Sequence, residues 1–325
     1  MSTEHVMLAQ EFRAADRTAS TYEAVVDLAR KAVQNGVLKG PVPAREAAFR
    51  KLNKLINDGM SPVRSRQDHT VSRSGRTSTH EALHVVIMPE PSLQETRRLR
   101  LVSIRLLIAH DEIAVEKLPL QSVFRIHAAQ RLFYRGNIEH GCFKVLGEEL
   151  LSWYYASAIA SRLLEETGAS RLMVPGPAMD GLILGQLDET AAVPAGEMFR
   201  FGKTQEAKHE IPASPYAPSL YSGNTYIGEN EVRPIQKELR ECFLRWREHY
   251  SRDYERGLER TIWPYRTVVP ADRSDRISSE AIEALKAFLL DHRAQVAMGN
   301  WFDDERLHGN VPGAAEEEVP LLRAG

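Results

Sequence analysis

Residues 72–136 read SRSGRTSTHEALHVVIMPEPSLQETRRLRLVSIRLLIAHDEIAVEKLPLQSVFRIHAAQRLFYRG, and the folding of this stretch decides the architecture. Within it, Val102, Ile104, Leu106 and Ile108 alternate with their neighbours, which predicts a strand. His110-Asp111-Glu112 breaks the pattern as a turn, and Ile113 to Val115 predicts the returning strand of a hairpin. Pro119 is expected to stop that strand and Ser122 to cap a helix. At 100° per residue, Val123, Ile126, Ala129 and Phe133 share one face of this helix, and His127, Arg131 and Arg135 line another.

The segment His80-Glu81-Ala82-Leu83-His84 supports two readings. On a helix, His80 and His84 share a face and can offer two imidazole nitrogens to one zinc ion, with Glu81 placed to polarise a metal-bound water. This pattern resembles that of zinc metallopeptidases, including its small or apolar neighbours Ser78, Ala82, Leu83, Val85 and Val86. The resemblance implies a zinc-dependent hydrolase; Glu90, Glu112 and Glu116 are then the candidates for a third ligand. Ser78-x-x-Glu81 is also a capping box, which gives the glutamate a purely structural role. Alternatively, the β-branched run from Leu83 to Met88 predicts a strand, on which residues four apart lie roughly 13 Å apart along the axis.

Upstream, Ser20-Thr21 is expected to open an amphipathic helix through Tyr22, Val25, Val26, Leu28, Ala29 and Val33, stopped at Gly36. A second helix follows, with Pro43 near its start, Phe49, Leu52, Leu55 and Ile56 as its stripe, and Asp58-Gly59 at its end. Residues 61–79 have the composition of a loop. Arg64, Arg66, Arg73 and Arg76 stand there among serines and threonines, with Asp68 opposing them. Such a loop is either a solvated connection or a phosphate-contacting arm, since guanidinium forks match phosphate oxygens.

Downstream, the apolar positions of 143–163 predict a core helix. Strands are expected at 172–175 and 182–185 around Asp180-Gly181, and at Met198–Phe201. Residues 212–228, with Pro212, Pro215 and Pro218 among Tyr216, Tyr221 and Tyr226, read as an aromatic loop. A helix spans the stretch from Glu229 to about Gly257, another begins at Ser278-Ser279, and Glu316 to Glu318 mark an acidic tail.

Composition bounds the rest. The 42 basic and 44 acidic residues leave a formal charge of −2, so any nucleic-acid partner must be held by a local patch. No apolar run approaches the roughly 20 residues that span a bilayer, and no charged segment with an apolar core opens the chain. A cytoplasmic protein without a membrane partner is expected. Cys142 and Cys242 lack metal spacing and read as buried free thiols.

Together these patterns predict an α+β fold, an antiparallel sheet of hairpins packed against several long amphipathic helices. The expected organisation is an N-terminal helical segment (1–60), a basic loop (61–80), an α+β core (81–270), and a C-terminal helix with acidic tail (271–325). Three functions are consistent with it. Nucleic-acid binding would use Arg64, Arg66, Arg73 and Arg76 as phosphate contacts. It extends to metal-independent RNA cleavage if His127 acts as general acid or base and Arg131 and Arg135 stabilise phosphate charge. The order His127-x3-Arg131-x3-Arg135-Gly136 resembles that of small bacterial ribonuclease toxins. Zinc hydrolysis at His80, Glu81 and His84 is the second function, and a non-enzymatic interaction or structural role is the third.

Overall fold

The computed structural model describes residues 3–71, 78–90, 98–135, 141, 143–149, 151, 171–178, 181–212, 219–252, 255, 280, 283–284 and 286–287. In chain order its helices are α1 (Thr3–Gln34), α2 (Val42–Met60), α3 (Ile126–Arg135), α4 (residues 143–149) and α5 (Pro234–His249). Its strands are β1 (Arg64–Val71), β2 (Ser78–Glu90), β3 (Arg98–Ile108), β4 (Glu112–Arg125), β5 (Arg171–Ala178), β6 (Gly181–Ala192), β7 (Gly196–Gly202), β8 (Glu206–Ile211) and β9 (Ser219–Ile227). Helices combined with sheet make this an α+β chain. It divides into two compact units. One comprises Met1–Ile126, Ile138–Glu148 and Val193–Ala213, and the other His127–Asn137, Glu149–Ala192 and Ser214–Gly325.

In the first unit, β1-β2-β3-β4-β7-β8 form consecutive antiparallel pairs. Because side chains alternate across a strand, this register sorts each strand into two sets. Ala82, Val86, Met88, Val102, Ile104, Leu106, Ile108, Ile113, Val115 and Phe201 share a buried cluster with Tyr22, Val25, Val26 and Ala29 of α1 and Phe49, Leu52, Ile56 and Met60 of α2. Leu83, Val85 and Ile87 alternate with this set and are buried as well. At the β2 end of that second face, α4 comes close: a Cβ on Gly147 would meet Val63 and Ile87.

Several sequence expectations are corrected here. The helix expected to open at Ser20-Thr21 begins at Thr3. Within α1, the Thr18 hydroxyl donates to the Ala14 carbonyl at 3.2 Å and the Ser20 hydroxyl to that of Arg17 at 2.9 Å. The Thr18 and Ser20 hydroxyls thus bond back within the helix rather than cap it. Gly36 does end the α1 region, in the left-handed conformation (φ 80°) that glycine adopts without penalty. Residues 64–71 are not loop but the edge strand β1, which among the described residues pairs with β2 alone. An edge tolerates arginines, serine and glutamine because one side of it meets water.

Pro119 does not stop β4, which runs on to Arg125. The β3–β4 register shifts between Arg100 and Val102, opposite Val123 and Pro119, and such an irregularity is where a strand accepts proline. Helix α3 therefore starts at Ile126, and Ser122 is a buried strand residue.

In the second unit, β5-β6-β9 are antiparallel. The stretch read as an aromatic loop contains β9, and Tyr221 and Tyr226 are buried in it rather than exposed at a loop tip. Burial pushes the Tyr221 phenol up. Glycines in β6 make room for this strand: a Cβ on Gly185 would enter the Tyr221 ring, and one on Gly181 would strike the Ile227 carbonyl oxygen. Leu182, Leu184 and Ile227 cluster with Val232, and Phe243 and Trp246 of α5 are buried. Expectations for Arg73, Arg76, Cys142, Asp180 and most of 150–170 and 256–325 lie outside the described residues.

Backbone cannot yield as a side-chain end can, so Gly181→Ala is expected to destabilise the chain by about 1–3 kcal/mol. A lowered urea midpoint with an unchanged slope checks it; an unchanged midpoint would contradict the close β6–β9 approach.

Candidate functional site

HEALH lies on β2, not on a helix, and the helical zinc geometry is corrected accordingly. On a strand, His80 and His84 share a face but stand roughly 13 Å apart along it, while Glu81 belongs to the opposite face. The motif therefore does not bring its three side chains together. Among the described residues no group of three or more His, Cys, Asp or Glu side chains is placed to hold a metal ion.

Each member is instead engaged locally. His84 is fully buried, with Nδ1 2.8 Å from the Ser65 hydroxyl of β1 and Nε2 2.8 Å from Oδ1 of Asn53 on α2. An amide oxygen only accepts, so Nε2 carries the proton and Nδ1 accepts from Ser65. Desolvation alone depresses this imidazole from its ordinary 6.5 to about 4. His80, also buried, lies against Phe49 of α2 and His69 of β1.

On the other face, Arg105 of β3 sits between two carboxylates. Its Nε donates to Glu81 Oε1 at 2.5 Å and its Nη1 to Glu116 Oε1 at 2.8 Å. All three side chains are 13% exposed or less. Burial pushes the Glu116 carboxyl above the ordinary carboxylate range, with Arg105 opposing and Glu81 adding to the rise. The other third-ligand candidates are ion-paired too, Glu90 with Arg100 and Glu112 with Arg200. Nothing in the sequence pattern reveals Arg105 as the centre of this triad. It is one arginine inside an apolar run, and only the β2-β3-β4 register sets two glutamates beside it.

In the second unit, α3 turns Ala128, Ala129, Leu132 and Phe133 inward and leaves His127, Tyr134 and Arg135 exposed, with Arg131 half-buried. Arg131 Nη1 donates to the Thr225 hydroxyl at 3.1 Å. Arg135 Nη1 donates to Glu231 Oε2 at 2.5 Å and lies 3.5 Å from the Tyr226 carbonyl oxygen. Tyr134 is the exposed large hydrophobic side chain among the described residues. Arg64 and Arg66 sit on β1 in the first unit, where Arg66 pairs with Asp68 at 3.2 Å. The two basic groups thus belong to different units.

Compared with known protein families, curated proteins and solved structures, the chain matches none of them. Among the described residues no helix is long and apolar enough to cross a membrane.

Two outcomes follow from these placements. Arg105→Met leaves two buried carboxylates without their cation and is expected to cost about 3–5 kcal/mol at pH 7 in urea unfolding. The loss should shrink as pH falls, because protonation then neutralises the stranded acids. Converting Glu81, Arg105 and Glu116 together to leucine, methionine and leucine should recover most of it. For His84, the folded state binds its proton later than the unfolded chain does. Its contribution is complete above about pH 6.5 and declines as pH falls from there toward about 4. The decline amounts to about 3 kcal/mol, and His84→Gln should flatten that part of the stability–pH curve.

Proposed function

We propose that this chain acts by binding rather than by catalysis, and that its ligand is single-stranded nucleic acid held on the outer face of α3. One observation carries the reading. The inner face of α3 is wholly apolar and buried, while the opposite side presents His127, Arg131, Tyr134 and Arg135. An exposed aromatic ring among guanidinium groups suits a strand whose bases stack and whose phosphates need cations.

Binding is favoured over cleavage because both guanidinium groups are anchored. The contacts of Arg131 to Thr225 and of Arg135 to Glu231 fix a surface; they do not aim the two cations at a phosphate beside His127. No cofactor is invoked. The engagement of His84 with Ser65 and Asn53, and of Glu81 with Arg105, points the same way, since groups committed to structure are poor catalysts. The sequence-based expectation of a cytoplasmic protein with a nucleic-acid partner is kept within this proposal.

Fluorescence anisotropy with labelled single-stranded RNA and DNA at low salt provides the test. The expected result is affinity that falls steeply as salt rises, a loss of roughly tenfold or more on Tyr134→Ala, and a larger loss on the double change Arg131→Ala with Arg135→Ala. The oligonucleotide should be recovered intact. Absence of binding to either probe at low salt refutes the ligand class, affinity unchanged in both variants refutes the site, and cleaved RNA refutes a purely binding role.

A further inference from the structure

His69 and His80 are directly opposed on β1 and β2, and their rings stack with centroids 4.2 Å apart and planes 7° from parallel. His69 is exposed, whereas His80 is 5% exposed and covered by Phe49 of α2 at 5.3 Å. The Nε2 atom of His80 is buried and has no hydrogen-bond partner. Two parallel rings do not direct nitrogen lone pairs at a common point, so the pair is no metal clamp. It is a stack that favours neutral rings.

The strand that carries His69 brings few apolar side chains to the sheet. None of the side chains described on β1, Arg64 to Thr70, belongs to the apolar cluster of the first unit. From Arg64 to Thr70 its side chains are polar or charged, and among the described residues it pairs on one side only. Apart from the backbone ladder, its ties to β2 include the Ser65–His84 hydrogen bond and the histidine stack. An edge with so few buried apolar contacts belongs to the least stable part of a sheet.

We propose that the stacked His69–His80 pair is an acid-sensitive latch that keeps edge strand β1 on β2 near neutral pH and releases it under mildly acidic conditions. Protonating His80 would put a cation under α2 and give Nε2 a buried N–H without an acceptor. The charged groups that face it are His69 from β1 and Arg45, Glu46 and Arg50 from α2; across from it on β3 stands Ile108. Of these groups Glu46 alone favours the cation, against Arg45, Arg50 and His69. Burial, the largest cause, and then His69 hold the His80 imidazole below its ordinary value. The latched strand is therefore fully favoured above about pH 6.5 and progressively less so below it. Release leaves β2 with an open edge.

Hydrogen–deuterium exchange on the full chain between pH 7.5 and 5.5, corrected for the intrinsic pH dependence of exchange, tests the latch. Amides of Arg64–Val71 should lose protection by up to about tenfold, the change one protonation gives per pH unit, while those of β3 and β4 stay protected. His80→Phe keeps an aromatic stack without the buried ionising ring and should remove the effect, whereas the exposed-site change His69→Phe takes away only the opposition of the second ring and should diminish it. Protection of β1 that does not change with pH overturns the latch. So does loss from β1, β3 and β4 together, which would mean global unfolding, and so does an undiminished effect in whichever variant folds.

Discussion

The constraint on which the first unit depends is the antiparallel register of β2 between β1 and β3, with the strand buried on both faces. A period of two assigns His80, Ala82, His84, Val86 and Met88 to α1 and α2, and Glu81, Leu83, Val85 and Ile87 to the other side. A one-residue slip would place Glu81 against the apolar cluster and remove it from Arg105, so packing and charge both specify one register. The two glutamates that hold Arg105 come from the strands on either side of it. The triad therefore reports the alignment of three strands at once, the kind of specificity for which buried ion pairs are best attested.

Burial also explains why chemically suggestive residues serve structure. A buried polar group must be hydrogen-bonded or paired, or it costs free energy. His84 meets that demand with Ser65 and Asn53, Glu81 and Glu116 with Arg105, and Glu90 with Arg100. Each of these arrangements draws residues from two or three elements, so each ties β2 or β3 to a neighbour. Polar chemistry that resembles an active site when read along the chain becomes, when read across the sheet, a set of fasteners.

Legibility in the sequence followed the strength of the local period. The β3–β4 turn at 109–111 and the left-handed Gly36 stop stand out, because alternation or a glycine marks them. Strand β1 escaped because an edge strand without an apolar alternation has the composition of a loop. Strand β9 escaped because its tyrosines are interleaved with Ser222, Gly223 and Thr225, residues that equally describe a turn. HEALH was ambiguous for a further reason. A strand buried on both faces loses the alternation that would identify it, and Leu83-His84-Val85-Val86 then fits helix or strand equally. The two halves of the candidate nucleic-acid site were read as one group, yet Arg64 and Arg66 belong to one unit and His127, Arg131 and Arg135 to another; chain proximity carries no information about that division.

The histidines of β1 and β2 show how little a residue type decides without its surroundings. His84 and His80 share one face of one strand, both buried, yet the first has acceptor and donor partners on its two nitrogens and the second has an unpartnered Nε2 under an aromatic cover. For His84 the hydrogen bonds can survive protonation, since Nδ1–H could donate to the same Ser65 oxygen; only desolvation opposes the charge. For His80 a proton brings an unmet donor and repulsion from a stacked ring as well. The same acidification therefore weakens the interior gradually at one site and strikes a specific contact at the other. The second contact lies on an edge strand whose side chains from Arg64 to Thr70 bury no apolar group, so a local opening there can precede the loss of the core.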